Sequence, residues 1–214
     1  GKTYKTCAGG NMAIHGTMIL RGGLITDGWA GFGGNLHVGG SGKGNMYGGT
    51  ISGGTALKYG GNLNVSGTSV MTVSNGRIIN GTAETNGGNI NGNKEGTFNL
   101  KGGVISGGYC VGEKAGNGGG NISVISADFN IHISGGTISG GKTEGLVNAD
   151  GTTAGEAKAN AGFKLHLAGS ETAIKTYVSG SDGKITVKSA EKDGSALVTY
   201  LKVSTSLADA TANG

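Results

Sequence analysis

Gly60-Gly61-Asn62-Leu63-Asn64-Val65 decides the fold, because the same anchor returns along the chain. Gly9-Gly10-Asn11-Met12 and Gly33-Gly34-Asn35-Leu36 precede it, and Gly87-Gly88-Asn89-Ile90 and Gly119-Gly120-Asn121-Ile122 follow it. From Asn11 to Asn121 the five anchors are spaced 24, 27, 27 and 32 residues apart. Self-similarity at such a period is the mark of a stacked repeat, in which each unit buries its apolar face only against its neighbours.

The residues around each anchor alternate apolar and polar in a phase that matches from copy to copy. Met12 and Ile14, Leu36 and Val38, Leu63 and Val65, and Ile122 and Val124 form one inward pair, with Gly92 replacing the second member after Ile90. A second pair comprises Met18 and Leu20, Met71 and Val73, Phe98 and Leu100, and Ile131 and Ile133; in the second copy these positions are Gly44 and Met46. Period-two spacing puts each pair on one face of a strand. Beyond a second Gly-bearing anchor comes the same residue in all five copies: Ile25, Ile51, Ile78, Ile105 and Ile138. Each period therefore reads as three short strands between Gly-rich corners. The expected fold is all-β, a parallel β-helix (β-solenoid) of about five coils of roughly 27 residues, stacked about 4.8 Å apart. Asn11, Asn35, Asn62, Asn89 and Asn121 read as an inner or corner amide ladder, each side chain bonding the next, with the Ile column as its apolar counterpart.

Composition supports registered repeats over a compact globular core. The 214-residue chain has 49 Gly and no Pro, and only 5% aromatic and 14% charged residues. Residues 1–141 hold 40 of the 49 glycines, so the chain divides. The expected organisation is an edge segment over 1–8, repeats over 9–141, a loop or linker over 142–160, and degenerate coils or a β cap or plug over 161–214. No signal peptide or membrane-length apolar run is present, and membrane insertion is not expected. The start at Gly1 reads as a processed or excised chain.

Candidate chemistry is sparse. Glycoside hydrolysis needs two carboxylates roughly 5 to 10 Å apart, whereas Asp27 and Asp128 fall about four coils apart. No outward column gathers calcium-ligating carboxylates, and His15, His37, His132 and His166 form no metal set, so no cofactor or metal is assigned. Glu84, Glu113 and Glu144, with Lys58, Lys114 and Lys142, read as a solvated rim at the corner after the Ile column. Trp29 and Tyr109 lie near that corner as platforms for sugar rings or as plugs of a widened turn. Cys7 and Cys110 are too many coils apart to pair easily within one subunit; they read as buried or inert thiols, or as a bond between two subunits. The outward column for an ice-binding Thr array reads Leu24, Thr50, Arg77, Val104 and Thr137, in which Leu24 and Arg77 spoil the regularity. Residues 1–83 carry Lys2, Lys5, Arg21, Lys43, Lys58 and Arg77 against Asp27 alone, which favours anionic glycans or an acidic surface as partners. The scattered aromatics argue against nucleic acid.

The Gly-Gly-Asn-Leu-x-Val segments, alternating with Gly-Gly-Thr-Ile-Ser-Gly-Gly at Gly48–Gly54 and Gly135–Gly141, resemble repeats of large adhesin-like bacterial surface proteins. Those have pectate-lyase-like right-handed β-helices. The resemblance covers residues 9–141 and implies adhesion, surface display or scaffolding. With only Gly1–Ala8 ahead of the first coil, the open end is expected to accept strands of another subunit, building a head-to-tail filament; alternatively, the chain is an excerpt of a longer adhesin. The reading is a noncatalytic extracellular bacterial solenoid forming a surface filament or adhesive stalk. The alternative is a carbohydrate-binding or polysaccharide-cleaving β-helix.

Overall fold

A computed structural model describes residues 6–111, 119–126, 128–133, 135–139 and 141–143, together with a few short strand segments beyond them. The first coil contributes β1 (Met12–Ile14), β2 (Thr17–Leu20), β3 (Leu24–Thr26) and β4 (Trp29–Phe32). The second gives β5 (Leu36–Val38), β6 (Lys43–Met46), β7 (Thr50–Ser52) and β8 (Thr55–Tyr59), and the third β9 (Leu63–Val65), β10 (Val70–Val73), β11 (Arg77–Ile79) and β12 (Thr82–Ala83). The fourth supplies β13 (Ile90–Gly92), β14 (Thr97–Leu100), β15 (Val104–Ser106) and β16 (Tyr109–Cys110). The fifth row is β17 (Ile122–Val124), β18 (Asn130–Ile133), β19 (Thr137–Ser139) and β20 (Lys142–Thr143). Every fourth strand pairs in parallel with the one before it, so four sheets run along the axis of a β-solenoid.

The expected coil had three strands, and the structure has four. The missed strand is β4 and its equivalents, which form the fourth sheet. Its inward positions are Ala30, Ala56, Ala83 and Cys110, all essentially solvent-free. Side chains this small bury little apolar area each, so their column does not stand out in the alternation, and the segment reads as a corner.

The other inward columns fall into the anticipated phase. Ile25, Ile51, Ile78, Ile105 and Ile138 face one another in consecutive strands of the third sheet, and Ile51, Ile78 and Ile105 are completely buried. In the first sheet Leu36, Leu63, Ile90 and Ile122 stack beneath Met12. Where Gly92 leaves that layer without a side chain, the ring of Phe129 fills the hollow, lying over both Gly92 and Gly96. Phe129 is 2% exposed. It precedes β18, one coil beyond the Gly92 whose hollow it fills, and so closes a packing gap between two coils.

Glycine is required at the anchors for two separate reasons. The first glycine takes a positive φ, as at Gly33 (61°) and Gly60 (67°), which a side chain disfavours. The second has no space: a Cβ on Gly61 would run into the carbonyl oxygen of Gly88 in the next anchor and into the backbone of Thr82. The corner between the third and fourth sheets is left-handed in each of the first four coils, at Asp27, Gly53, Asn80 and Gly107. Asp, Asn and Gly are the residues that tolerate this conformation.

Beyond the fifth row, β21 (Leu146–Val147) and β22 (Thr153–Ala154) pair antiparallel, while β23 (Leu165–Leu167) lies parallel to β17 and β24 (Thr176–Tyr177) parallel to β18. A last antiparallel pair is β25 (Lys192–Asp193) with β26 (Ala196–Leu197). The remainder of the expected linker and cap over 142–214, and most of the edge segment 1–8, lie outside the described residues.

Replacing Gly61 by Ala forces backbone apart between two coils. It should lower unfolding free energy by about 2 kcal/mol or more, whereas Gly22→Ala, whose Cβ would meet nothing within 4 Å, should change it by less than about 0.5 kcal/mol. Thermal unfolding followed by circular dichroism separates the two.

Candidate functional site: the asparagine ladder and the open first coil

The anchor asparagines form one continuous chain of hydrogen bonds. Asn11 Nδ2 donates to Asn35 Oδ1 at 2.7 Å, Asn35 to Asn62 at 2.7 Å, Asn62 to Asn89 at 2.7 Å and Asn89 to Asn121 at 2.8 Å. The second amide hydrogen reaches the carbonyl that ends the third-sheet strand of the same coil: Thr26, Ser52, Ile79 or Ser106. The side-chain oxygens of Asn35, Asn62, Asn89 and Asn121 each accept one further bond, from the backbone N–H of Gly28, Gly54, Gly81 or Gly108. Asn35, Asn62 and Asn89 thus make four hydrogen bonds apiece while completely buried. Each ties its own corner closed and joins it to the coils on both sides.

The ladder has a direction. Every amide hydrogen that crosses between coils points toward higher residue numbers and every receiving oxygen toward lower ones. At the low-numbered end Asn11 is exposed, and no described residue donates to its Oδ1.

Among the described residues, no strand continues three of the four sheets at that end. β1, β2 and β3 are terminal strands of their sheets. The fourth sheet is partly covered there, since Gly31 N and Phe32 N donate to Cys7 O and Ala8 bridges to Phe32. Met12 is 39% exposed although its stacked equivalents Leu36 and Leu63 are 0%. Ile14, Leu20 and Ile25 are likewise only partly buried.

The outward faces carry the other sequence candidates. Trp29 and Tyr109 do not sit in a corner but in the fourth sheet, in one column with Thr55 and Thr82 between them. Three coil steps separate the two rings by about 14 Å, so they do not form a single stacking platform. Trp29 is 46% exposed. Glu84 is exposed and Lys58 half-buried, its ammonium 5.3 Å from the Phe32 ring centroid; the Arg21 guanidinium lies 5.4 Å from that of Tyr47. Glu113, Lys114 and Glu144 lie outside the described residues. Both cysteines are free thiols; Cys7 is exposed, and Cys110 is buried with its Sγ 3.1 Å from Thr85 O. A bond from Cys7 to a partner's Cys110 would require that buried thiol to be uncovered.

The first sheet has a buried polar column on its outward face, which the sequence did not reveal. Asn91 Nδ2 donates to Asn64 Oδ1 at 2.8 Å, and Asn64 Nδ2 lies 3.0 Å from His37 Nδ1. Asn64, Asn91 and Ser123 are at most 3% exposed, and Asn91 Oδ1 has no hydrogen-bond partner. Burial, and secondarily the repulsion of His15, hold His37 below its ordinary pKa; the two rings are 6.4 Å apart. His15 and His37 are thus brought together, yet no group of three metal-ligating side chains occurs among the described residues. No helix among them is long and apolar enough to cross a membrane.

Stacked parallel coils with an internal amide ladder define a parallel β-solenoid repeat protein. No family model, curated protein or solved structure matches the chain.

Because the folded state disfavours protonated His37, the unfolded chain takes up that proton first as pH falls. The contribution of His37 to stability is therefore complete above the ordinary histidine pKa and declines as pH drops below it. Between about pH 7.5 and about pH 5, the loss of melting temperature should be smaller in His37→Asn than in the parent chain, as thermal melts at each pH would show.

Proposed function

We propose that the protein is a noncatalytic, extracellular structural subunit of bacterial origin that elongates head to tail into a surface filament or adhesive stalk. The observation that supports this reading is the edge of the first described coil. Among the described residues three sheets end there, at β1, β2 and β3, and the inward side chain of Met12 is more exposed than its stacked equivalents Leu36 and Leu63. Natural solenoids ordinarily cover such ends, because open edges recruit further strands. The repeating part offers the recruited strand a matching surface, since inward side chains, corner glycines and anchor asparagines recur in the same phase.

Contact with glycans is a second reading, supported by the 46% exposure of Trp29 on the outward side of the fourth sheet. The exposed Lys43 and Arg77 would favour an anionic glycan in that role.

Negative-stain electron microscopy of the purified chain at micromolar concentration should show long fibres of uniform width. Dispersed short rods at every concentration would overturn the self-assembly reading.

A further inference from the structure

Two imidazoles meet at the corner between the first and second sheets. In the pairing of β1 with β5, Ile14 lies beside Val38. One residue further His15 comes over Gly39, whose N–H donates to Ile14 O at 2.9 Å. His37 stands two residues earlier on β5 and bends over the same glycine, so that a Cβ on Gly39 would strike its ring first at Nε2. Beside it, at Gly40, a Cβ would find His15 Nδ1 at 3.3 Å and, chain neighbours aside, no other described atom within 4 Å. The glycine pair therefore leaves a hollow flanked by one nitrogen of each ring. The rings stand edge to face with centroids 6.4 Å apart. Two nitrogens on one metal ion lie at most about 4 Å apart, and a turn of the exposed His15 side chain closes that gap.

We infer that His15 and His37 form a two-imidazole site for a divalent first-row transition metal ion, Cu(II) in preference to Ni(II) or Zn(II), with water in the remaining positions. Imidazole suits these ions, whereas Mg²⁺ and Ca²⁺ take oxygen ligands. The ligating atom of His37 is Nε2, because Nδ1 lies 3.0 Å from Asn64 Nδ2 on the other side of the ring. An imidazole that binds metal through Nε2 carries its one N–H on Nδ1, where it needs an acceptor. Asn64 supplies one by exchanging the places of its amide oxygen and nitrogen, a rotation that keeps the side chain's shape. Asn91, bonded to Asn64 at 2.8 Å, exchanges with it. The Asn91 oxygen, buried without a partner in the present arrangement, then accepts from Asn64, and the Asn91 nitrogen takes the place the oxygen held. Asn64 is thus a positioning residue, setting which nitrogen of His37 is open to the ion.

Electron paramagnetic resonance of the whole chain titrated with Cu(II) alone, in a buffer free of nitrogen ligands, should show one bound ion carrying two imidazole nitrogens. His15→Gln and His37→Asn should each reduce this to a one-imidazole signal and weaken binding by about tenfold or more, because the second point of attachment is lost. His37→Asn keeps a side-chain acceptor for Asn64, and His15 is exposed, so His15→Gln serves even where the other substitution disturbs the fold. His132→Gln, on the second sheet, should leave the two-imidazole signal unchanged. Asn64→Asp offers only acceptors and so keeps the proton on Nδ1; with circular dichroism unchanged, it should tighten binding by about threefold or more. A one-imidazole signal in the parent chain, or a two-imidazole signal that survives His15→Gln, overturns the site. Unchanged or weaker binding in folded Asn64→Asp overturns the role given to Asn64.

Discussion

A buried primary amide is tolerable only when its hydrogens and oxygen are all bonded, and the anchor asparagines meet that condition only if successive coils sit in one particular register. Asn62 takes one bond from Asn35, gives one to Asn89, closes its own coil at Ile79 O and receives the N–H of Gly54. Leaving any of these groups unpaired in the interior would cost about 1–3 kcal/mol. A shift of one residue between coils would break several such bonds at once and turn the Ile column outward. The ladder thus supplies specificity of stacking, while the aliphatic columns supply most of the driving force, at about 1.5–3 kcal/mol for each fully buried side chain. Bonds in line also polarise one another in a low-dielectric interior.

The glycines follow from the same constraint. To place an amide between stacked corners, the backbones of adjacent coils must approach more closely than a Cβ permits. A Cβ on Gly54 would press on Asn35 Nδ2 and Asn62 Oδ1. Glycine richness in this chain is therefore a consequence of the ladder rather than a sign of a loose polymer, which explains how so little aromatic content still yields fully buried aliphatic columns.

Much of this was legible in the residues. The Asn and Ile columns repeat one residue type, and the inward pairs repeat one period, so phase could be read directly. The fourth sheet escaped because Ala30, Ala56, Ala83 and Cys110 are too small to mark an alternation. Phe129 escaped because its role depends on a vacancy at Gly92 in the preceding coil. The outward column of Ala13, His37, Asn64, Asn91 and Ser123 mixes residue types, and polar residues facing away from the core read as solvated. The burial of Asn64, Asn91 and Ser123 on the first sheet is a tertiary fact with no local signature.

The most direct test of the ladder's governing role is the unfolding free energy of Asn62→Ala beside that of Asn45→Ala, a half-buried outward residue of β6. Loss of the Asn62 amide unpairs groups at Asn35, Gly54, Ile79 and Asn89 together, so destabilisation of at least about 3 kcal/mol is expected, against less than about 0.5 kcal/mol for Asn45→Ala. Equal, small effects of the two substitutions would contradict the account and assign stacking specificity to the aliphatic columns alone.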